Sequence, residues 1–116
     1  TAEPAALGRN WTATRGWALK VPASAPEHDL ELLGVRRCGS TSGSVAHVLY
    51  RWRGEPLSVY VLPASLASAS AVHTVVDTFG QEAIVWSHHG RTYAVIARGS
   101  PEELTRVATY VKTAAY

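Results

Sequence analysis

The amino-acid sequence predicts a single α+β domain, in which an antiparallel meander of about five β-strands carries a C-terminal helix packed on one face. Three β-rich runs between residues 30 and 63 are separated by short turn-forming segments. That is the pattern of neighbouring strands joined by hairpins. A second hairpin pattern spans residues 82–97, and a helix with a well-marked start follows it. One helix laid across such a sheet would bury the apolar sides of both.

Length and composition fit one folded domain. The chain has 116 residues, of which 47% are hydrophobic and 17% charged, enough to form one modest core. The net charge is only +2, and the 11 Lys and Arg residues are scattered. The basic stripe of a nucleic-acid-binding protein is therefore missing, and we expect no direct nucleic-acid partner. The apolar runs are shorter than a membrane span, and a lone cysteine excludes an internal disulfide framework.

Residues 1–29 are predicted to form an extended tether, and residues 30–116 the domain itself. The tether is rich in Ala, Pro and small polar residues, with Trp11 and Trp17 as isolated large side chains that pack locally. We expect no regular element in its first half. Around Pro22 and Pro26 the backbone should be extended, because proline restricts the residue before it. The chain begins at Thr1 and contains no Met, so we expect it to be a piece of a longer protein.

The first three strands are predicted over residues 30–38, 44–53 and 57–62, with turns at 39–43 and around Gly54. Side chains alternate between the two faces of a strand. In the second strand, one face would therefore carry the apolar set and point at the core, and the other would carry His47 with Arg51. The apolar set is Ala46, Val48, Tyr50 and Trp52.

The second half of the chain contains one ambiguous segment and two clear patterns. Residues 64–78 favour a loop with some helical turn, although residues 72–76 could equally form an extra strand. Strands follow over 82–87 and 92–97, joined through residues 88–91. Ser100, Pro101 and Glu103 predict a helix that starts with a capping box. Its apolar stripe consists of Leu104, Val107, Ala108 and Val111.

Six stretches of the chain resemble the extracytoplasmic domain of bacterial transmembrane anti-sigma factors. They cover residues 33–38, 46–51, 56–63, 80–86, 90–95 and 102–104, in the order found in that family. The resemblance implies a non-enzymatic sensor, the periplasmic domain of a bacterial inner-membrane protein. It also implies an upstream membrane helix and a cytoplasmic part, often a zinc-binding helical module, that holds an extracytoplasmic-function sigma factor. The Trp-Phe pair common in the family's tether is absent, since no Phe follows Trp11 or Trp17.

Cys38 and His47 are the first candidate site. A subset of the family pairs a cysteine at the end of the first strand with a histidine in the second, and these two residues match that arrangement. If Cys38 pairs near Val45, His47 is its diagonal neighbour, about 7–8 Å away between Cα atoms. A thiolate with an imidazole would suit copper, zinc or haem iron, and the protein would then sense a metal ion or an oxidant. Further ligands would have to come from His73, His88, His89 or another chain.

The alternative for this pair is structural. Cys38 would then be a small buried hydrophobic residue, and His47 a histidine with satisfied hydrogen bonds at the rim of the sheet. In that case the chain is a plain protein–protein interaction domain. Its partner could be another protein or a second copy of the chain, which would form a homodimer. His88 and His89 are expected to point to opposite faces of a strand, which would prevent both from binding one ion. The carboxylates form no acid–base pair, so we expect no enzymatic activity.

Overall fold

The structure is a computed structural model, which describes residues 3–38, 45–63, 74–78 and 81–115. For Cys38 and for residues 74–78 it describes the backbone only. A short 3₁₀ turn covers Pro26–His28. The helices and strands are α1 (Pro4–Arg15), β1 (Leu30–Cys38), β2 (Val45–Trp52), β3 (Glu55–Leu62), β4 (Thr74–Thr78), β5 (Gln81–His88), β6 (Arg91–Ala97) and α2 (Pro101–Ala115).

The strands form one antiparallel sheet with the order β1-β2-β3-β6-β5-β4. The predicted α+β class, with an antiparallel sheet and a C-terminal helix on one face, is confirmed. In the part of the chain that the structure describes, the sheet has six strands, one more than the expected number, because β4 occupies part of the ambiguous segment. The order also differs from a single meander. Two three-stranded meanders, β1-β2-β3 and β4-β5-β6, join through the pairing of β3 with β6.

The core lies between one face of this sheet and α2. The predicted inward face of β2 is confirmed, since Ala46, Val48, Tyr50 and Trp52 are all buried. The predicted stripe of α2 is confirmed as well, and it packs mainly on β5 and β6. The strands β3, β5 and β6 complete this core face with Leu57, Val59, Val61, Ile84, Trp86, Tyr93, Val95 and Ala97.

The start of α2 has the predicted capping box. The backbone N–H of Glu103 donates to Ser100 Oγ at 3.2 Å, and the Ser100 N–H donates to Glu103 Oε1 at 3.4 Å. These two reciprocal bonds satisfy backbone donors that a helix start leaves without intrahelical partners. Near the other end of the helix, the Lys112 ammonium lies 5.4 Å from the ring centre of Trp86, which fixes α2 over β5.

The prediction that residues 1–29 form a tether without a regular element is wrong for Pro4–Arg15, which forms α1. The Glu3 carboxylate accepts hydrogen bonds from the N–H groups of Ala5 and Ala6 at 3.0 Å, so it caps the helix. Gly16 ends the helix in a left-handed conformation with φ of 83°. Trp11 is only 4% exposed and meets Trp17 edge-to-face, with 5.4 Å between ring centres.

The segment after α1 crosses the core face of the sheet in an extended conformation. Two tyrosine hydroxyls hold it there: Tyr50 Oη donates to the carbonyl of Pro22 and Tyr110 Oη to that of Ala23, both at 2.6 Å. Between these anchors and α1, Leu19 and Val21 are buried in the same core as the strands. This segment and α2 therefore share one face of the sheet.

A close approach at Gly8 determines how α1 packs. A Cβ atom at this position would lie 2.7 Å from the carbonyl oxygen of Leu19, so only glycine allows the helix to come this near. We expect the added Cβ of Gly8→Ala to cost about 2–3 kcal/mol, the upper part of the range for overpacking, because a backbone atom must shift. After the roughly 1 kcal/mol by which alanine favours a helix over glycine is subtracted, the free energy of unfolding should fall by about 1–2 kcal/mol.

Urea unfolding followed by tryptophan fluorescence measures the effect. Gly34→Ala is the matched control, because a Cβ there meets no atom of the described residues within 4 Å. Equal unfolding midpoints for Gly8→Ala and the wild-type protein would contradict the close packing of α1.

Candidate functional site

His47 lies in the middle of β2, between two residues that the sheet register places directly opposite it. Arg36 of β1 is on one side and Tyr60 of β3 on the other. The sequence predicted that His47 would point away from the core face, and its position between buried Ala46 and Val48 fits that alternation. The residue is nevertheless only 4% exposed, and its ring contacts side chains of both neighbouring strands. A buried histidine needs hydrogen-bond partners for its ring nitrogens.

Those partners form a chain across three strands. Arg36 Nε donates to His47 Nδ1 at 3.2 Å, and His47 Nε2 lies 2.8 Å from Ser58 Oγ. Because Nδ1 accepts from a guanidinium, the hydrogen of the neutral ring is assigned to Nε2, which donates to Ser58. The Tyr60 ring stacks on the imidazole with 4.4 Å between ring centres and an interplanar angle of 16°.

The surroundings of His47 favour its neutral form. Burial and, to a smaller extent, the charge of Arg36 lower the pKa of His47 from its ordinary value of 6.5. Both ring nitrogens are also occupied, one by Arg36 and one by Ser58. To bind a metal ion, His47 would have to give up one of these hydrogen bonds beside a fixed positive charge.

The predicted hairpin geometry of Cys38 is confirmed for the backbone. Cys38 pairs with Val45, so it is the diagonal neighbour of His47 on the same face. A metal-binding or redox role for the pair stays a prediction. Within residues 3–38, 45–63, 74–78 and 81–115, no group of three or more His, Cys, Asp or Glu side chains is placed to hold a metal. His73 lies outside the described residues.

His88 and His89 are closer together than expected. Their predicted position at the hairpin turn is confirmed, but the expectation that they point to opposite faces is wrong, because only His88 belongs to β5. His89 has a positive φ of 48°, in the turn before β6. The turn brings the two rings within 4.0 Å at an angle of 77°. Desolvation and the neighbouring His89 lower the pKa of His88. Arg91 lines the same cleft of about 450 Å³, which disfavours a cation there.

The second feature with functional potential is the sheet face that α2 does not cover. We call it the open face. Its described side chains are a mixture of apolar and polar residues, and most of them are half-buried. Its described side chains from β2, β3, β5 and β6 are Val45, His47, Leu49, Arg51, Pro56, Ser58, Tyr60, Leu62, Gln81, Ala83, Val85, Ser87, Thr92, Ala94 and Ile96.

The sequence interpretation missed both the partners of His47 and the open face. The pairing of Cys38 with Val45 was predicted, and extending it by two residues would have placed Arg36 opposite His47. Ser58 and Tyr60 required the register of a third strand. The open face could not be recognised before β3 was known to pair with β6, because that pairing brings its two halves together.

No family model, no curated protein and no solved structure matches the chain. The resemblance to anti-sigma factor domains therefore stays a prediction. Among the helices that the structure describes, none is both long and apolar enough to cross a membrane.

The lowered pKa of His47 gives a pH dependence with a definite sign. Above its ordinary pKa of 6.5, His47 is neutral in the folded and the unfolded chain, and its contribution to stability is complete. Below 6.5 the unfolded chain takes up a proton first, so the free energy of unfolding falls until the folded protein is protonated as well. We expect His47→Gln to flatten this fall.

Urea titrations at a series of pH values from 7.5 down to 5 (roughly the range in which histidine titrates) measure the slope. His88→Gln should be the common background, because the pKa of His88 is lowered as well. His28→Gln serves as the control, since His28 contacts Tyr110 far from this hydrogen-bonded chain. A slope unchanged by His47→Gln would show that the ring is not held neutral.

Proposed function

We propose that the chain is the periplasmic sensor domain of a membrane-anchored anti-sigma factor and that it works by protein contact at the open face, without catalysis. The resemblance in residues 30–112 supports the anti-sigma assignment. The observation that carries the contact function is the set of half-buried apolar side chains on the open face, Leu49, Leu62, Val85 and Ile96. Grouped apolar side chains of this kind are typical of a surface that another protein covers.

The arrangement of polar groups on the open face fits this role. Both ring nitrogens of His47 have hydrogen-bond partners within the sheet, so covering the ring leaves no unpaired ring nitrogen. Arg51 lies towards one margin and is paired with Glu31 at 3.1 Å. An interface with an apolar centre and charges at its rim can form and separate without a large desolvation penalty. Such reversible contact is what a sensor domain requires.

In this proposal the sensor domain passes its state to a cytoplasmic part of the protein that holds the sigma factor. The signal is the difference between a covered and an uncovered open face. A ligand that binds the two states with different affinities shifts the equilibrium between them. The difference in affinity sets the size of the response.

The test is transcription from a sigma-dependent promoter in cells that carry the full-length protein. We expect Leu49→Glu and Ile96→Glu to change basal transcription at least about fivefold, the lower range of typical coupling between sites. Both residues are half-buried on the open face, and a carboxylate there opposes coverage.

Thr109→Glu on the exposed side of α2 is the control and should leave transcription unchanged. Immunoblots establish that all variants are present in equal amounts. Wild-type transcription in both open-face variants would overturn the contact function. An upstream reading frame without about 20 apolar residues would overturn the membrane-anchored assignment.

A second candidate is sensing of a metal ion or oxidant through Cys38 and His47. The observation that favours it is the register, which places the two residues diagonally on the open face. The thiolate is both the metal-binding and the oxidisable form of cysteine, so either input needs an accessible sulfur with a low pKa.

Calorimetric titration of the reduced domain with Cu(I) and with Zn(II) tests this candidate. We expect at least one of the two ions to bind stoichiometrically and to produce thiolate-to-metal absorption. Cys38→Ser and His47→Ala should each abolish this binding. His28→Ala is the matched control. Binding that survives both site variants, or no binding at all, would exclude this input and leave protein contact.

A further inference from the structure

We infer that the cleft beside the turn between β5 and β6 binds the phosphate group of a small phosphate monoester, through Arg91 and the adjacent rings of His88 and His89. The site is separate from the open face, because His88 alternates with buried Trp86 and therefore lies on the core side of β5. The inference goes beyond the proposed function and does not depend on it.

The turn holds the two histidines and the arginine at a defined spacing. His88 pairs with Arg91 across the hairpin, so His89 and Gly90 alone form the loop. Their φ angles are 48° and 78°, as a tight hairpin turn of type I′ requires. This turn brings the His88 and His89 rings to 4.0 Å between ring centres. The three basic side chains therefore meet at one end of the sheet.

The cleft next to this turn has room for a small molecule. Its volume is about 450 Å³, and it is lined by His88, His89, Arg91, Tyr93 and Ala115. Ligand pockets typically measure about 300–1,000 Å³. Among the described residues, no Asp or Glu lines this cleft. Burial raises the pKa of Tyr93, which keeps its phenol uncharged. The charge that the lining side chains bring to the cleft is therefore positive.

Arg91 is supported from two sides. Its guanidinium carbon lies 4.9 Å from the ring centre of Trp17, and the guanidinium is hydrogen-bonded to the Tyr93 hydroxyl. A side chain that is already ordered loses less conformational entropy when a ligand binds. A guanidinium carries five N–H donors in a planar fork, more than Tyr93 uses. Such a fork matches two oxygens of a phosphate group.

The number of charges in the cleft fits a dianion. Arg91 supplies one permanent positive charge. Desolvation and the neighbouring His89 lower the pKa of His88, since protonation of one ring opposes protonation of the other. The two histidines therefore take up one proton more readily than two. A phosphate monoester carries a charge of about −1.5 to −2 near neutral pH, which matches this total better than the single charge of a carboxylate does.

The end of α2 opposes an anion, but its effect is the weaker one. Ala115 is the last residue of the helix and lines the cleft. The carbonyl groups at a helix C-terminus act as roughly half an elementary negative charge. This is less than the full charge of Arg91, so the field in the cleft stays positive even while both histidines are neutral. If the basic side chains only balanced the helix end, no phosphate would bind.

NMR titration of the isotope-labelled whole chain with glycerol phosphate tests the site at about pH 6.5, the ordinary pKa of histidine. Ionic strength is held constant, so that general screening does not change. We expect saturable shifts of the backbone amides of residues 88–91 and of the Trp17 indole N–H, with a dissociation constant of about 1 mM or below. Acetate should bind at least about fivefold more weakly, because it carries one charge.

Three variants locate the binding. Arg91→Gln removes the fork, so the dissociation constant should rise at least about tenfold. His89→Asn removes one ring and keeps a residue that tolerates positive φ, and should raise the constant about three- to tenfold. Arg106→Gln is the matched control. It removes the same charge from an exposed position of α2 outside this cleft, and should leave binding unchanged.

Thermal unfolding establishes that each variant is folded. If Arg91→Gln does not fold, His89→Asn alone must weaken binding at least about threefold. The absence of saturable shifts up to about 20 mM, a concentration above that of useful binding, overturns the inference. Equal losses in Arg91→Gln and Arg106→Gln also overturn it, since the attraction would then be one of net charge. Acetate that binds as tightly as glycerol phosphate overturns the choice of a phosphate.

Cosedimentation with phosphatidylcholine vesicles, with and without phosphatidic acid, distinguishes two sources of the phosphate group. The head group of phosphatidic acid is itself a phosphate monoester. Binding of both glycerol phosphate and these vesicles, lost in Arg91→Gln, supports the site and assigns it to a lipid head group. Binding of glycerol phosphate alone supports the site and assigns it to a soluble ester. Vesicle binding without glycerol phosphate binding overturns the cleft as the site, because a wider surface would then make the contact.

Discussion

The pairing of β3 with β6 holds the molecule together. It joins two three-stranded meanders that would otherwise each expose a further edge, and it places Val59 opposite Val95 at the centre of the core face. Both residues are buried. The helix α2 and the extended segment after α1 could not share one core if the two meanders were separate. The same pairing produces the opposite side of the sheet. Core and open face are therefore two consequences of one ladder of backbone hydrogen bonds.

His47 shows how a polar side chain can be buried on that open face without a charge. A neutral imidazole needs one donor and one acceptor as neighbours, and Arg36 and Ser58 supply them from the two flanking strands. Tyr60 covers the ring by stacking on it. This arrangement makes the histidine a cross-link between β1, β2 and β3. The hydrogen bonds of the ring are therefore complete without any further ligand.

Local patterns predicted the local features of this protein. The alternation along β2, the capping box at Ser100 and the pairing of Cys38 with Val45 each depend on residues close in sequence, and each is confirmed. Features that depend on distant residues were missed. The Ala-rich composition of α1 resembles a linker, and its helix is stabilised by the burial of Trp11 against residues beyond its own end. The positive φ of His89 was not predicted, and the turn that contains it brings the His89 ring beside that of His88. The strand order and the partners of His47 required the register of several strands at once.

The N-terminal region is attached to the rest of the domain by α1 and by the segment after it, which a flexible tether would not be. From the seat of Gly8 on Leu19, the chain continues to the carbonyls of Pro22 and Ala23, which are held by tyrosines from β2 and α2. The segment between Gly16 and Ala23 therefore connects α1 to the sheet and to α2 at the same time. Because these two hydrogen bonds join the segment after α1 to β2 and to α2, a shift of α1 would change the packing of the core and not of the N-terminal helix alone.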